Sequence, residues 1–128
     1  MTATSTPSLH DPALFLNREL SWLAFNERVL EEVFDAALPL FERLKFLGIV
    51  AANLDECFMV RVAGLKQQLA SGVSDTAADG MAPADQLAAI AARTHAMTDV
   101  IYRGWGEVLR PGLAAVGIRV HPRARWTA

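Results

Sequence analysis

The chain has 128 residues, of which 52% are hydrophobic, and twelve Lys and Arg against fourteen Asp and Glu give a net charge of −2. This length suits one domain, and the balanced charge offers no general binding surface for nucleic acid or another polyanion. The single cysteine excludes an internal disulfide, and the N-terminal sequence lacks the basic start and apolar core of a signal peptide. No apolar run approaches the ~20 residues that span a bilayer. We therefore predict a cytoplasmic protein without a membrane span.

The N-terminal segment and the first helix are distinguished by their composition. Residues 1–13 are rich in Thr, Ser and Pro and bury too little apolar surface to order the chain, so we predict a disordered tail. Ser21 is a good N-cap type, and apolar residues then recur at helical spacing to about Asp35. One stripe holds Trp22, Phe25, Val29, Val33 and Ala36, and the other holds Leu23, Leu30 and Phe34. Two apolar stripes predict a central helix that packs between neighbours.

Two further helices are predicted over residues 39–52 and from Asn53 to about Ala70. Pro39 suits the first turn of the earlier helix, because that turn leaves its N–H groups unpaired. Gly48 in its middle predicts the close approach of another helix backbone. Asn53 is predicted to end one helix and begin the next. The buried stripe expected in the later helix consists of Leu54, Phe58, Val62, Leu65 and Leu69.

The last third of the chain predicts a loop, a long helix and a short tail. Residues 71–83 have no periodicity and concentrate Gly, Ser and Asp, so they predict a surface loop, and Pro83 restarts the helical pattern. Its stripe is Leu87, Ile90, Thr94, Met97, Ile101, Trp105 and Val108. Gly104, Gly106 and Pro111 predict a kink or break, and Gly117 predicts a C-cap before an extended tail. The predicted fold is all-α, a mostly antiparallel four-helix bundle.

Asn53 is the first of two residues with the spacing of a capping box. In that interpretation the Asn53 oxygen accepts from a backbone N–H at the helix start, and Glu56 reaches back to the Asn53 N–H. A stabilising role of about 1 kcal/mol would explain both residues without any ligand. The capping interpretation nevertheless leaves the Asn53 NH₂ group free to donate, at a helix start that favours phosphate oxygens.

Arg61 and Cys57 allow a structural and a functional interpretation each. Arg61 lies at the border of the predicted buried stripe, where its stem can cover apolar surface while its charge stays in water. The alternative is that Arg61 binds a carboxylate or a phosphate from another domain. Cys57 has no histidine nearby in the sequence to activate it, so we interpret it as a small buried apolar residue.

Catalytic and metal-ligating constellations are absent from the sequence. His95 and Asp99 have i, i+4 spacing, but a di-metal bundle needs matching Glu-x-x-His pairs on other helices, and the sequence has none. It contains no Gly-rich phosphate loop, no nucleophile elbow and no Cys-x-x-Cys. We predict no catalytic residue and no metal site.

Three strings in the same order carry a family resemblance. They are "NRELSWLAFNERVLEE" (17–32), "PLFERLKFLGIVAANLDECFMVRVAGLK" (39–66) and the closing "GIRV". Together they resemble the N-terminal domain of polyphosphate kinase over roughly residues 14–120. We take 14–117 as this helical domain and 118–128 as the start of a linker to a missing domain.

The resemblance implies a function in a larger enzyme. Polyphosphate kinases reversibly transfer the terminal phosphate of ATP to polyphosphate with Mg²⁺, through a phosphohistidine, in a multi-domain homo-oligomer. The helical domain of the family contributes to the ATP pocket, and the asparagine before Leu-Asp-Glu contacts the nucleotide, which here is Asn53. The catalytic histidines and the Mg²⁺-associated arginines belong to later domains. The resemblance therefore implies ATP as substrate, partnership with the remaining domains, and no activity or Mg²⁺ binding by this fragment alone.

A second hypothesis stays open beside the first. In the first hypothesis the chain is an excised fragment or a truncated gene product, and in the second it is a stand-alone helical interaction module derived from that domain. Such a module would bind a protein partner through the regions of Trp22, Trp105 or Arg61.

Overall fold

The structure, a computed structural model, describes residues 8–125, and no β-strand occurs within that range. Its α-helices are α1 (Arg18–Glu31), α2 (Leu40–Cys57), α3 (Ala63–Ala70), α4 (Pro83–Arg103) and α5 (Arg110–Ala115). Two π-helical segments, Phe58–Val62 and Gly104–Leu109, join α2 to α3 and α4 to α5. Short 3₁₀ turns cover Pro12–Leu14, Glu32–Phe34 and Arg123–Arg125.

The all-α prediction is confirmed, but the described residues form three long helices instead of four. The helix over residues 40–70 is continuous through the first π-helical segment, and the helix over 83–115 is continuous through the second. The predicted helix boundary at Asn53 is therefore wrong, because Asn53 lies in the interior of α2. No proline or glycine interrupts residues 49–63, so nothing in the local sequence breaks the helix there.

The first helix begins earlier than predicted. Asn17, not Ser21, is its N-cap: the Asn17 side-chain oxygen accepts from the backbone N–H groups of Glu19 and Leu20, each at 3.1 Å. The predicted end near Asp35 agrees with the 3₁₀ turn that follows α1. Pro39 and Pro83 stand where predicted, at the starts of α2 and α4.

Side-chain contacts fix the directions of the three long helices. Glu19 lies near Arg61, Asn26 near Asn53, and Arg43 donates to the Val33 carbonyl, so α1 and α2 are antiparallel. Contacts between α1 and α4 advance in the same direction along both helices, from Leu20 and Arg93 to Phe34 and Arg103. The first and third long helices are therefore parallel to each other, as expected for an up-down-up bundle with short connections.

The core lies where the three helices meet, and it differs in part from the predicted stripes. Its buried side chains are Leu23, Leu30, Val33, Val50, Leu54, Val62, Leu65, Ile90, Met97 and Leu109. In α1 the second predicted stripe enters the core, whereas Phe25 of the first stripe is 62% exposed. Phe58 and Leu69 are also exposed, contrary to prediction. The π-helical segment after Cys57 changes the angular position of the residues that follow, which explains part of this error.

Three glycines test the predictions made from them. Nothing lies within 4 Å of a Cβ built on Gly48, so the predicted close approach at Gly48 is wrong. At Gly104 the predicted irregularity is present as the start of the second π-helical segment, but the helix does not break. Gly117, with φ +89°, caps α5: the Ile118 N–H donates to the Leu113 carbonyl at 2.9 Å, as in a Schellman motif.

The described residues stop short of both ends of the chain, and their helices do not span a membrane. Residues 1–7 of the predicted disordered tail and 126–128 of the predicted linker lie outside the described residues. The boundaries predicted at residues 14 and 117 stay predictions. Within residues 8–125, every helix is too short or too polar to cross a bilayer.

Candidate functional site

A groove of about 490 Å³ runs between α1 and the helix formed by α2 and the first π-helical segment. One face of each helix lines it, because lining residues recur at steps of three and four. They are Arg18, Glu19, Ser21, Trp22 and Phe25 from α1, and Asn53, Glu56, Cys57, Val60 and Arg61 from the second helix. The predicted site residue Asn53 therefore lies at the wall of an open groove.

The Asn53 amide is held by a hydrogen bond that the sequence did not reveal. Its Nδ2 donates to Oδ1 of Asn26 at 2.7 Å, and Nδ2 of Asn26 donates to the backbone carbonyl of Trp22 at 2.9 Å. Asn26 is fully buried. The capping interpretation of Asn53 and Glu56 is wrong, as is the expectation of an unoccupied Asn53 NH₂ group at a helix start, since one N–H of this group is already bonded.

The carbonyl oxygen of Asn53 is the unoccupied part of the amide. Within residues 8–125, Oδ1 of Asn53 accepts no hydrogen bond, and no buried side-chain N or O atom lacks a partner. Oδ1 is therefore not fully buried. An amide with one N–H engaged retains one acceptor oxygen and one donor N–H for a ligand.

The two ends of the groove differ in chemistry. Arg18 and Arg61 lie at one end, where Arg61 Nε is 3.8 Å from Oε2 of Glu19. Trp22 and Phe25 lie toward the other end with Asn53, because α1 and α2 are antiparallel. Arg61 thus faces a carboxylate of its own domain while its side chain stays 42% exposed, and both interpretations of Arg61 stay predictions. Asn53 and Arg61 are eight residues apart, roughly 12 Å along a helix.

Cys57 lines the floor of the groove but is only 3% exposed. Burial raises the pKa of its thiol, the negative charge of Glu19 raises it further, and Arg61 lowers it. The thiol form is therefore favoured, and the thiolate, which is the nucleophilic form, is suppressed. This agrees with the interpretation of Cys57 as a buried apolar residue.

Metal ligands do not converge in this part of the protein. Among residues 8–125 no group of three or more His, Cys, Asp or Glu side chains could hold a metal ion. His95 and Asp99 therefore have no third ligand among these residues.

Comparison with known proteins identifies the family. A family model described as the polyphosphate kinase N-terminal domain matches residues 15–121. The chain belongs to the polyphosphate kinase family. A polyphosphate kinase of Halalkalibacterium halodurans is 51% identical over 112 residues, and one of Thermosynechococcus vestitus is 50% identical over 110 residues. These matches cover 87% and 86% of this chain, but only 16% and 15% of those relatives.

A third relative extends the match further along the chain. The polyphosphate kinase of Synechocystis sp. is 49% identical over 118 residues, which is 92% of this chain and 16% of that protein. The chain thus spans about a sixth of the length of these relatives. No solved structure matches it significantly. The resemblance seen in the sequence strings is confirmed at the level of the family.

Sequence reasoning missed most of the residues that accompany Asn53 in the groove. The helical spacing of Trp22 and Phe25 predicts core positions for both, and no predicted stripe or motif includes Asn26. Asn26 gave a detectable signal, because it interrupts an apolar set at helical spacing that includes Leu23 and Leu30. A polar residue at such a position needs a hydrogen-bond partner, and here the partner is Asn53.

Proposed function

We propose that this domain forms one wall of the ATP pocket in a polyphosphate kinase and that the nucleotide lies in the groove between α1 and α2. The observation that carries the proposal is the position of Asn53, at the groove wall with an Oδ1 that is not fully buried. Membership of the family makes ATP the expected substrate. The enzyme's reversible phosphoryl transfer to polyphosphate is proposed for the complete protein only.

The groove's chemistry supports an orientation for the nucleotide. Trp22 and Phe25 offer aromatic surface for a base beside the Asn53 amide. Arg18 and Arg61 lie at the opposite end, where guanidinium groups suit phosphate oxygens. Glu19 neutralises part of that charge, so a phosphate would compete with this carboxylate for Arg61. We propose that the base lies at the Asn53 end and the phosphates toward the arginines.

The parts that complete the reaction lie outside this domain in our proposal. The catalytic histidines and Mg²⁺ are supplied by the remaining domains of a cytoplasmic, homo-oligomeric enzyme. We expect this chain alone to transfer no phosphate from ATP to polyphosphate and to bind no Mg²⁺ of its own. The groove wall would be its whole contribution to the active site.

An interaction module is the second candidate, and one surface favours it. Phe58, Met59 and Val60 are 46%, 72% and 57% exposed on the first π-helical segment. Exposed apolar patches mark sites of association. The same patch also suits contact with a further domain of a polyphosphate kinase. Nucleotide binding separates the two candidates, because an interaction module needs none.

The test of the proposed function is Asn53→Ala in the complete polyphosphate kinase that carries this domain. We expect KM for ATP to rise about tenfold, because a hydrogen bond to the nucleotide is lost, while kcat changes less. Steady-state kinetics at saturating polyphosphate measure both constants. Leu113→Ala, a core substitution outside the groove, is the control and should lower Tm without raising KM. An unchanged KM in Asn53→Ala with a lowered Tm would assign Asn53 a structural role only.

A further inference from the structure

Asn26 is a buried polar side chain whose only described partners are the Asn53 amide and the Trp22 carbonyl. It receives the hydrogen bond from Nδ2 of Asn53 at 2.7 Å and donates to the carbonyl one turn earlier at 2.9 Å. Both its acceptor and its donor are therefore occupied, and at 0% exposure it cannot exchange either bond for water. The orientation of the Asn26 side chain is thereby fixed.

A fixed Asn26 fixes the rotation of the Asn53 amide as well. Turning the Asn53 amide by 180° would bring its Oδ1 against Oδ1 of Asn26 and leave a buried acceptor without a donor, which costs about 1–3 kcal/mol. The amide nitrogen therefore stays on the Asn26 side, and Oδ1 stays on the solvent side. Asn53 lines the groove, so its carbonyl oxygen and its second N–H are the amide groups left for a ligand there.

We infer that Asn26 is a positioning residue that makes the groove selective for adenine over guanine nucleotides, an inference that rests on the proposed ATP site. A carbonyl oxygen and an adjacent N–H match the N6 donor and N7 acceptor of adenine, the pairing that asparagine makes with this base. Guanine presents two acceptors, O6 and N7, on the corresponding edge. Its O6 would face the Asn53 oxygen without a hydrogen between them.

The same argument excludes a phosphate as the principal partner of the Asn53 oxygen. Phosphate oxygens only accept hydrogen bonds. The hydrogen bond to Asn26 leaves Oδ1 of Asn53 on the solvent side, and this oxygen is itself an acceptor. This reverses the expectation from the sequence, in which a free NH₂ group at a helix start would donate to phosphate. A base amino group supplies the missing donor.

The experiment measures binding of ATP and of GTP to the complete polyphosphate kinase that carries this domain, by isothermal titration calorimetry with EDTA present so that no phosphate is transferred. We expect the unmodified enzyme to prefer ATP by about tenfold or more, the discrimination typical of a bidentate amide-base pair. Asn26→Leu removes the acceptor that holds Asn53, so the preference should fall toward unity.

Two further variants keep the result interpretable. Asn26→Ser is too short to reach Asn53, yet its hydroxyl can bond the Trp22 carbonyl four residues earlier, so it decides the question if the leucine variant does not fold. Thr94→Val removes a different buried hydrogen bond, that of the Thr94 hydroxyl to the Ile90 carbonyl, outside the groove. It should lower Tm and leave the ratio of affinities unchanged.

The possible outcomes separate this inference from the function on which it rests. An enzyme that binds ATP with unchanged preference in both Asn26→Leu and Asn26→Ser overturns the positioning role and leaves the ATP site standing. Equal affinity for ATP and GTP in the unmodified enzyme also overturns it. Asn53→Ala in the same enzyme serves as the reference, because unchanged ATP affinity and unchanged preference in that variant overturn the ATP site itself. Loss of preference in Asn26→Leu and Asn26→Ser, with retention in Thr94→Val, supports the inference.

Discussion

At the scale of single residues, the interhelical polar contacts do more than the surface ion pairs to define this bundle. Arg93 of α4 binds Glu27 of α1 through two bonds, from Nε at 3.1 Å and from Nη2 at 2.9 Å. Its Nη1 also donates to the Leu20 carbonyl at 3.0 Å. A planar guanidinium that satisfies three acceptors on the neighbouring helix fixes the relative position of α1 and α4.

Arg93→Met tests this contribution while keeping much of the apolar stem. We expect a loss of about 1 kcal/mol of unfolding free energy, because the pair is bidentate but about a third exposed. Arg28→Met is the matched control: Arg28 binds Glu31 on its own helix, and both side chains are mostly exposed. It should cost less than about 0.5 kcal/mol. Urea denaturation measures both, and equal losses would contradict the account.

At the scale of elements, two glycines in similar helical conformation differ in their surroundings. A Cβ on Gly48 would meet nothing within 4 Å, whereas a Cβ on Gly104 would lie 3.1 Å from Cγ1 of Val33 and 3.2 Å from Cζ of Phe34. Alanine favours a helix over glycine by about 1 kcal/mol where space allows. The second π-helical segment starts at Gly104, so its backbone packs closely against the end of the first long helix.

Gly48→Ala and Gly104→Ala form a matched pair. We expect Gly48→Ala to raise the unfolding free energy by about 0.5–1 kcal/mol, through helix propensity alone. Gly104→Ala should gain less or lose stability, because Val33 and Phe34 must shift to admit the methyl group. Thermal unfolding followed by circular dichroism distinguishes them. An equal rise in Tm for both variants would show that the contact at Gly104 carries no cost.

The limits of sequence reasoning also lie at the scale of elements. Helix starts at Pro39 and Pro83 were predictable, because the preference of proline for a first turn is local. The number of helices was not, because the spacing that suggests a capping box at Asn53 and Glu56 is also the i, i+3 spacing inside a helix. The absence of Pro and Gly over residues 49–63 favours the continuous helix. The partner of the Asn53 amide could not be predicted, because Asn26 lies 27 positions earlier in the chain and no local pattern contains that contact.

At the scale of the whole molecule, the chain belongs to the polyphosphate kinase family and matches a small part of the length of its relatives. It covers about a sixth of the polyphosphate kinases it matches, and within residues 8–125 it holds one groove that combines aromatic, cationic and amide groups. The family could be recognised from the sequence strings, and the role of Asn53 stays a prediction. The walls of the groove required the three-dimensional arrangement, since Trp22 and Asn53 come from different helices.

The most direct test is an ATP titration of the ¹⁵N-labelled 128-residue chain, followed by NMR. We expect chemical-shift changes to concentrate at the Asn53 and Asn26 side-chain amides, the Trp22 indole and the backbone around Arg61, and to be reduced in Asn53→Ala. Changes confined to other surfaces, or none at millimolar ATP, would contradict the claim that this groove binds the nucleotide.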